Sequence, residues 1–207
     1  MKENIKRLSR YTTLPVLLDL LERKKLVLLD PKDWDDRNDS EVILAFKEKK
    51  EIKKLFALCF SHGSETIHHW KTFANGSSGC CIEFNAEKLI TLFEKEKLKH
   101  GEVHYRKIRN VKPETFELDQ MPFIKRAPYA CETEYRVIYE GDIKEDVYEI
   151  DVPLDTVSKI TISQQMPEQI FKSIKGLLKG SFTNPEKRVS RSTIYENKTW
   201  INNFKRF

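Results

Sequence analysis

No stretch of this 207-residue sequence approaches the roughly 18 to 20 apolar residues that cross a bilayer, and Met1-Lys-Glu-Asn-Ile-Lys-Arg leads into no apolar secretory core. Both absences argue against membrane insertion and set a cytoplasmic address as the expectation. Cys59, Cys80, Cys81 and Cys131 show no C-x-x-C spacing and no secretion signal that would make disulfides expected, so they read as buried thiols. The five histidines contain no H-E-x-x-H pair, and H-G-E-V-H at 100–104 misplaces the glutamate, so no metal site is expected. The acidic loop from Asp30 to Asp39 lacks the D-x-D-x-D-G register of a calcium loop; its aspartates suit turns and helix caps. Neither G-x-G-x-x-G nor G-K-[ST] occurs, which leaves Asn75-Gly-Ser-Ser-Gly79 a connector and not a phosphate loop. Repeats, heptads and low-complexity segments are absent too.

What is present is the composition of a packed, well-solvated chain: 39% hydrophobic residues, 11% aromatic and 33% charged. The length suits one sizeable core, so a single domain over residues 1–207 is expected. A formal charge of +5 leans mildly towards polyanions. The nearest basic cluster is Lys187-Arg188, Arg191 and Lys205-Arg206, without a glycine-aromatic RNA-binding signature beside it; it reads as solvated surface, with a nucleic-acid contact as the alternative.

Helices and strands alternate through the first half. Thr12 or Thr13 caps a helix with Leu14, Leu17, Leu18 and Leu21 on one face and Pro15 in its first turn. Arg10-Tyr11-Thr12 then closes a short first strand. A second helix from Ser40, a strand at Leu55 to Phe60 and a helix carrying Ile67, Trp70, Phe73 and Ala74 follow. Lys112 to Arg126, punctuated by Pro113 and Pro122, is a lid or a poorly packed connection. Strands dominate the second half. The fold expected is α+β: two small, mostly antiparallel sheets, with helices mainly in the N-terminal half.

Tyr129 to Glu140 is the strongest strand candidate, rich in Tyr, Val and Ile. Alternation puts Glu132, Glu134, Arg136 and Glu140 on one face. In a cleft, the two carboxylates would repel, raising the affinity of one for a proton, while Arg136 holds the other ionised; that suits a substrate developing positive charge. On an exposed sheet, the same E-x-E-x-R face is a solvated, salt-bridged surface. Spacing alone leaves both open.

Arg10-Tyr11-Thr12-Thr13-Leu14, Trp34 to Asn38, Cys59-Phe-Ser, His69-Trp70 to Ala74, Gly79 to Phe84 and Tyr129 to Ile138 together resemble a widespread bacterial family of unknown function. Its pattern runs R-Y-[TR]-S-L, F-N-D-P, C-F-S, M-W-x-x-Y-A, G-x-C-I-x-F and W-x-x-E-x-E-W-R. This chain departs from it at Trp34 to Asp39, at Phe73, and at Tyr129 and Tyr135 where the family has tryptophans. That family looks like a remote relative of the ADP-ribosyltransferases, including toxins and phage-defence effectors. The resemblance implies an ADP-ribosyltransferase-like fold, with NAD as substrate. Arg10 would clamp the pyrophosphate bidentately, with Tyr11 and Thr12 bordering the same pocket. Trp70 and Phe73 would offer stacking surface, although their helical spacing also suits core. Glu134 would stabilise the oxocarbenium-like transition state as nicotinamide leaves, Glu132 would orient or deprotonate the acceptor, and Arg136 would fix Glu134 structurally.

The leading expectation is an NAD-dependent ADP-ribosyltransferase of toxin or antiviral-defence type, acting on a protein or nucleic acid and paired with an antitoxin or inhibitor protein. A non-catalytic module that binds a nucleotide or nucleic-acid end is the alternative. A magnesium-dependent nuclease using Glu132 and Glu134 comes third.

Overall fold

The computed structural model describes residues 5–112, 116–181 and 188–206. Elements follow in the order β1 (Arg7–Thr13), α1 (Leu14–Arg23), β2 (Lys25–Leu28), α2 (Arg37–Lys49), β3 (Lys54–Ser61), α3 (Ile67–Phe73), β4 (Gly79–Asn85), α4 (Ala86–Lys95), β5 (Lys99–Glu102), β6 (His104–Arg106), β7 (Ile124–Arg126), β8 (Glu134–Gly141), β9 (Tyr148–Asp151), β10 (Val157–Ile162), α5 (Glu168–Leu177), β11 (Val189–Arg191) and α6 (Lys198–Phe204). The α+β class and the weighting of helices to the first half are as expected. The strands are not gathered into two small sheets: they pair in the order β11-β10-β4-β1-β3-β8-β5, with two separate ribbons, β2-β9 and β6-β7. β10 pairs antiparallel with β4, β2 with β9, and β8 with both β3 and β5, whereas β10 and β11, and β6 and β7, pair parallel.

Two compact units are built from interleaved segments: Met1–Leu8, Lys25–Gly63 and Ala86–Val152 form the first, Ser9–Lys24, Ser64–Asn85 and Pro153–Phe207 the second. In the first, β8 lies between β3 and β5, so Val137 and Ile138 are fully buried. Ile43 and Phe46 of α2 close over Leu55, Ala57 and Ile138, each large side chain contributing about 1.5–3 kcal/mol by leaving water. Asp36 caps α2 by accepting from the Asn38 N–H at 3.1 Å, starting the helix three residues before the expected Ser40.

In the second unit, α1 begins at Leu14 after Thr13 and ends where Lys24 turns left-handed at φ 56°. Its buried face is Leu17, Leu20 and Leu21, whereas Leu18 is exposed; the expected stripe is rotated, since Leu20 and Leu21 complete i+3 and i+4 from Leu17 equally well. The turn from α3 into β4 requires glycine at 79, where a Cβ would lie 1.8 Å from the Ala74 carbonyl oxygen.

Candidate active site

The E-x-E-x-R segment is not one strand from Tyr129. Ala127–Glu132 is a 3-10 helix with Pro128 in its first turn, Thr133 takes φ 44°, and only at Glu134 does β8 begin. A β-branched residue in the left-handed region is strained, and neighbours hold it there. The Thr133 hydroxyl shares a 3.0 Å hydrogen bond with Ser61 Oγ, and its carbonyl accepts from the His62 N–H at 3.0 Å. Glycine at 63 permits this approach, because a Cβ there would lie 2.1 Å from Thr133 Oγ1. The end of β3 thus fixes the bend between the two glutamates.

Both glutamates point into a buried charge network. Arg136 Nε donates to Glu134 Oε1 at 2.7 Å, the same-face contact that i, i+2 positions on a strand allow. The guanidinium also grips Asp39 of α2 bidentately, at 2.9 and 2.6 Å, and donates to the Pro122 carbonyl at 2.7 Å. Its other face lies 5.2 Å from the Trp34 ring. Lys125 Nζ of β7 donates to Glu132 Oε2 at 2.6 Å and to Glu134 Oε2 at 3.2 Å, and lies 3.4 Å from Asp39 Oδ2. Glu132 and Glu134 are each 4% exposed and Arg136 is 0% exposed, which overturns the solvated-face alternative.

The electrostatics follow from this geometry. Burial opposes the charge on Glu134, but Arg136, then Lys125, outweigh it and hold the carboxyl down at about 2. Burial likewise disfavours the charged Lys125, yet Glu134, Asp39 and Glu132 more than offset it and raise the ammonium above its ordinary range. Burial pushes the Cys59 thiol up, and its hydrogen bond to Glu134 adds to that. The Glu134 N–H donates to Tyr105 Oη at 2.8 Å, tying down the first residue of β8. The cation that Asp39, Glu132 and Glu134 share is the Lys125 ammonium, so these carboxylates do not present the open position a nuclease metal requires.

Sequence reading missed Asp39 and Lys125. Asp39 left a signal: with Ile43 and Phe46 it occupies the inward i, i+4, i+7 stripe of α2, where a carboxylate needs a buried partner. Lys125 left none, since the stretch from Lys112 to Arg126 reads as a lid or a poorly packed connection, and the structure instead pairs Ile124–Arg126 with β6.

The other expected site residues lie in the second unit. Arg10, Tyr11 and Thr12 are on β1, whose alternation sends Tyr11 to the face opposite Arg10 and Thr12; one pocket bordered by all three is not what a strand provides. Tyr11 stacks on His69 at 4.6 Å and meets the edge of Trp70 at 5.6 Å. Trp70 is buried with Ala74 and Cys81, its indole N–H donating to Glu65 at 2.6 Å, so its faces belong to the core. Phe73 is exposed, edge-on to His68. Of the basic cluster, Arg188 donates to the Val157 carbonyl and Arg191 to the Gln164 carbonyl, each at 2.6 Å; these are structural contacts, and Lys187 lies outside the described residues. Cys80 and Cys81 are buried as expected, whereas Cys59 is half-buried and Cys131 exposed.

A cleft of about 930 Å³ opens in the first unit, and both Asp39 and Lys125 line it.

Residues 69–169 match the profile of a family described as "Protein of unknown function (DUF2971)", a span that includes Lys125, Glu132, Glu134 and Arg136 but neither Arg10 nor Asp39. No curated protein matches the sequence. Among solved structures, similarity is found to Thermus sp. 2.9 DarT in complex with NAD+ (11% identity, 95% of this chain and 100% of that chain, TM-score 0.46). It is also found to the same protein in complex with ADP-ribosylated ssDNA (12% identity, 93% of this chain and 97% of that chain, TM-score 0.45).

Proposed function

We propose that this chain is an NAD-dependent ADP-ribosyltransferase, of the toxin or defence kind that its motifs resemble, with Glu134 as the catalytic carboxylate. The observation that carries this reading is the placement of Glu134: a buried carboxylate gripped by Arg136 Nε at 2.7 Å and Lys125 Nζ at 3.2 Å, at the start of a strand that a strained turn fixes in place, with both cations holding it ionised. Cleavage of the bond between nicotinamide and ribose builds positive charge on the sugar, and a fixed, ionised carboxylate stabilises it without reorganising. Nicotinamide leaves with the bonding electron pair, and the acceptor's nucleophile forms the new bond to the ribose carbon. Glu132, 2.6 Å from the same ammonium, takes the acceptor's proton. Arg136 Nε and Lys125 Nζ occupy one acceptor site on each Glu134 oxygen, and a carboxylate oxygen accepts more than one hydrogen bond, so a ribose hydroxyl can bind beside the 3.2 Å Lys125 contact. On the motif resemblance Arg10, Thr12 and Phe73 are assigned to NAD, while Tyr11 and Trp70, packed against each other in the core of the second unit, are assigned no contact with it. The acceptor is a protein or nucleic acid.

One observation favours a second reading. Every carboxylate of the network has a cation partner, as in a purely structural cluster, and the chain would then bind a nucleotide or nucleic-acid end without turning it over. Nicotinamide release from NAD by the purified protein, with and without cell extract, separates the two. Under the transferase reading, Glu134→Gln reduces release by about 10²–10³-fold, while Glu132→Gln retains hydrolysis of NAD and loses transfer. Circular dichroism confirms that each variant is folded. Unchanged release in a folded Glu134→Gln protein, or no release and no thermal stabilisation by NAD in the parent protein, rejects the transferase reading.

A further inference from the structure

The cleft beside Lys125 carries a second assignment, independent of the chemistry at Glu134. One wall is aliphatic and open to water: Ile108 is 72% exposed, Val111 47% and Leu118 37%, with Ile124 beside them. Such a concentration of exposed aliphatic side chains marks an interaction surface. Another feature lies in the ribbon: Arg106 of β6 and Arg126 of β7 are register partners in a parallel pair, and both line the cleft. Like charges placed side by side on neighbouring strands repel. Neither guanidinium has an ion-pair partner among the described residues, and both are exposed. Of the other charges along the cleft, Asp39 is taken by Arg136 and Lys125, Arg37 pairs with Glu41 at 3.0 Å, and Asp36 caps α2 through the Asn38 N–H, one carboxylate against the three remaining cations. Lys49, Arg106 and Arg126 are left to face an incoming group, a surplus of positive charge over an aliphatic wall.

We infer that this cleft docks an acidic amphipathic helix from a partner protein, its aliphatic face against Ile108, Val111 and Leu118 and its carboxylates on the Arg106–Arg126 pair. Planar guanidiniums bind carboxylates bidentately, and an amphipathic helix seats anchors spaced i, i+3 or i+4, i+7 in such a groove. A nucleic-acid strand fits less well, because base stacking needs aromatic faces and the described lining holds one, Phe116. A helix seated here covers the cleft edge of Lys125 and Asp39, the two residues that tie the cleft to the glutamates, so such a partner acts on the site as an inhibitor does.

Fluorescence anisotropy tests this with a labelled 18-residue helical peptide (roughly five turns), leucines on one face and glutamates on the other. Its controls are a peptide of the same composition with the face scattered and an oligothymidine of similar charge. Saturable binding is expected for the amphipathic peptide alone, weakened about tenfold or more by Arg106→Ala with Arg126→Ala and separately by Ile108→Asp. Absence of saturable binding, equal binding of the scattered peptide, or indifference to both variants overturns the assignment. Tighter binding of oligothymidine that the arginine pair controls also overturns it and reassigns the cleft to nucleic acid. Binding is read without NAD, so failure of the transferase reading leaves the outcome interpretable.

Discussion

Arg136 and Asp39, 97 positions apart, are joined by two parallel hydrogen bonds of 2.9 and 2.6 Å, with both side chains almost fully buried. This pair ties α2 to β8 and orients the guanidinium whose Nε holds Glu134. Removing one partner strands the other's charge in the interior, so Asp39→Ala is expected to cost about 3–5 kcal/mol in urea unfolding. Asp39→Ala combined with Arg136→Met should cost clearly less than the two single changes summed; additive costs would show that the pair does not act as a unit.

Acid should unfold the protein through Glu134. Its folded pKa of about 2 lies below the ordinary 4.5, so its contribution is fully present above pH 4.5 and is lost as pH falls through about 2. The lowering corresponds to roughly 3 kcal/mol. Stability against urea should therefore fall steeply across that window, and a Glu134→Gln protein should show a shallower dependence.

Lys125→Met removes the second cation facing Glu134 and leaves Glu132 and Glu134 without the ammonium between them. The Glu134 carboxyl then rises, so the acid-sensitive window moves towards neutral pH, in the pH–stability curve and in the acid limb of any NAD cleavage. An unmoved window would mean that Arg136 alone sets the charge.

Gly63→Ala drives a methyl group into Thr133 Oγ1, displacing the bend between the two glutamates. A loss of about 1–3 kcal/mol is expected, with NAD cleavage falling further than the folded fraction does. Equal losses in the two would make the bend purely structural.

Thiol chemistry should separate the cysteines. Burial pushes the Cys80 and Cys81 thiols up to about 12 and raises Cys59 as well, whereas Cys131 is exposed. A disulfide reagent should modify Cys131 rapidly in the native protein and the other three after unfolding, read by peptide mass. Rapid native labelling of Cys80 or Cys81 would contradict the packing of β4.

The sequence by itself determined what short-range periodicity and backbone chemistry control. Proline in the first turn of α1, the presence of the helices α1 and α2, the strand at β8 and the shared face of Glu134 and Arg136 all depend on spacings of two to four residues, visible along the chain, whereas which leucines α1 buries did not follow from them. The exposed or buried state of the E-x-E-x-R face depended on partners distant in sequence. Tertiary structure decided it by bringing Asp39 from α2 and Lys125 from β7 to that face. The bend at Thr133 was equally illegible, since a threonine in the left-handed region is stable only where Ser61, His62 and Gly63 enclose it. Local propensity weighs tenths of a kcal/mol per residue, while a buried charge without a partner costs several. Where the two meet, the long-range partners set the chemistry of the site.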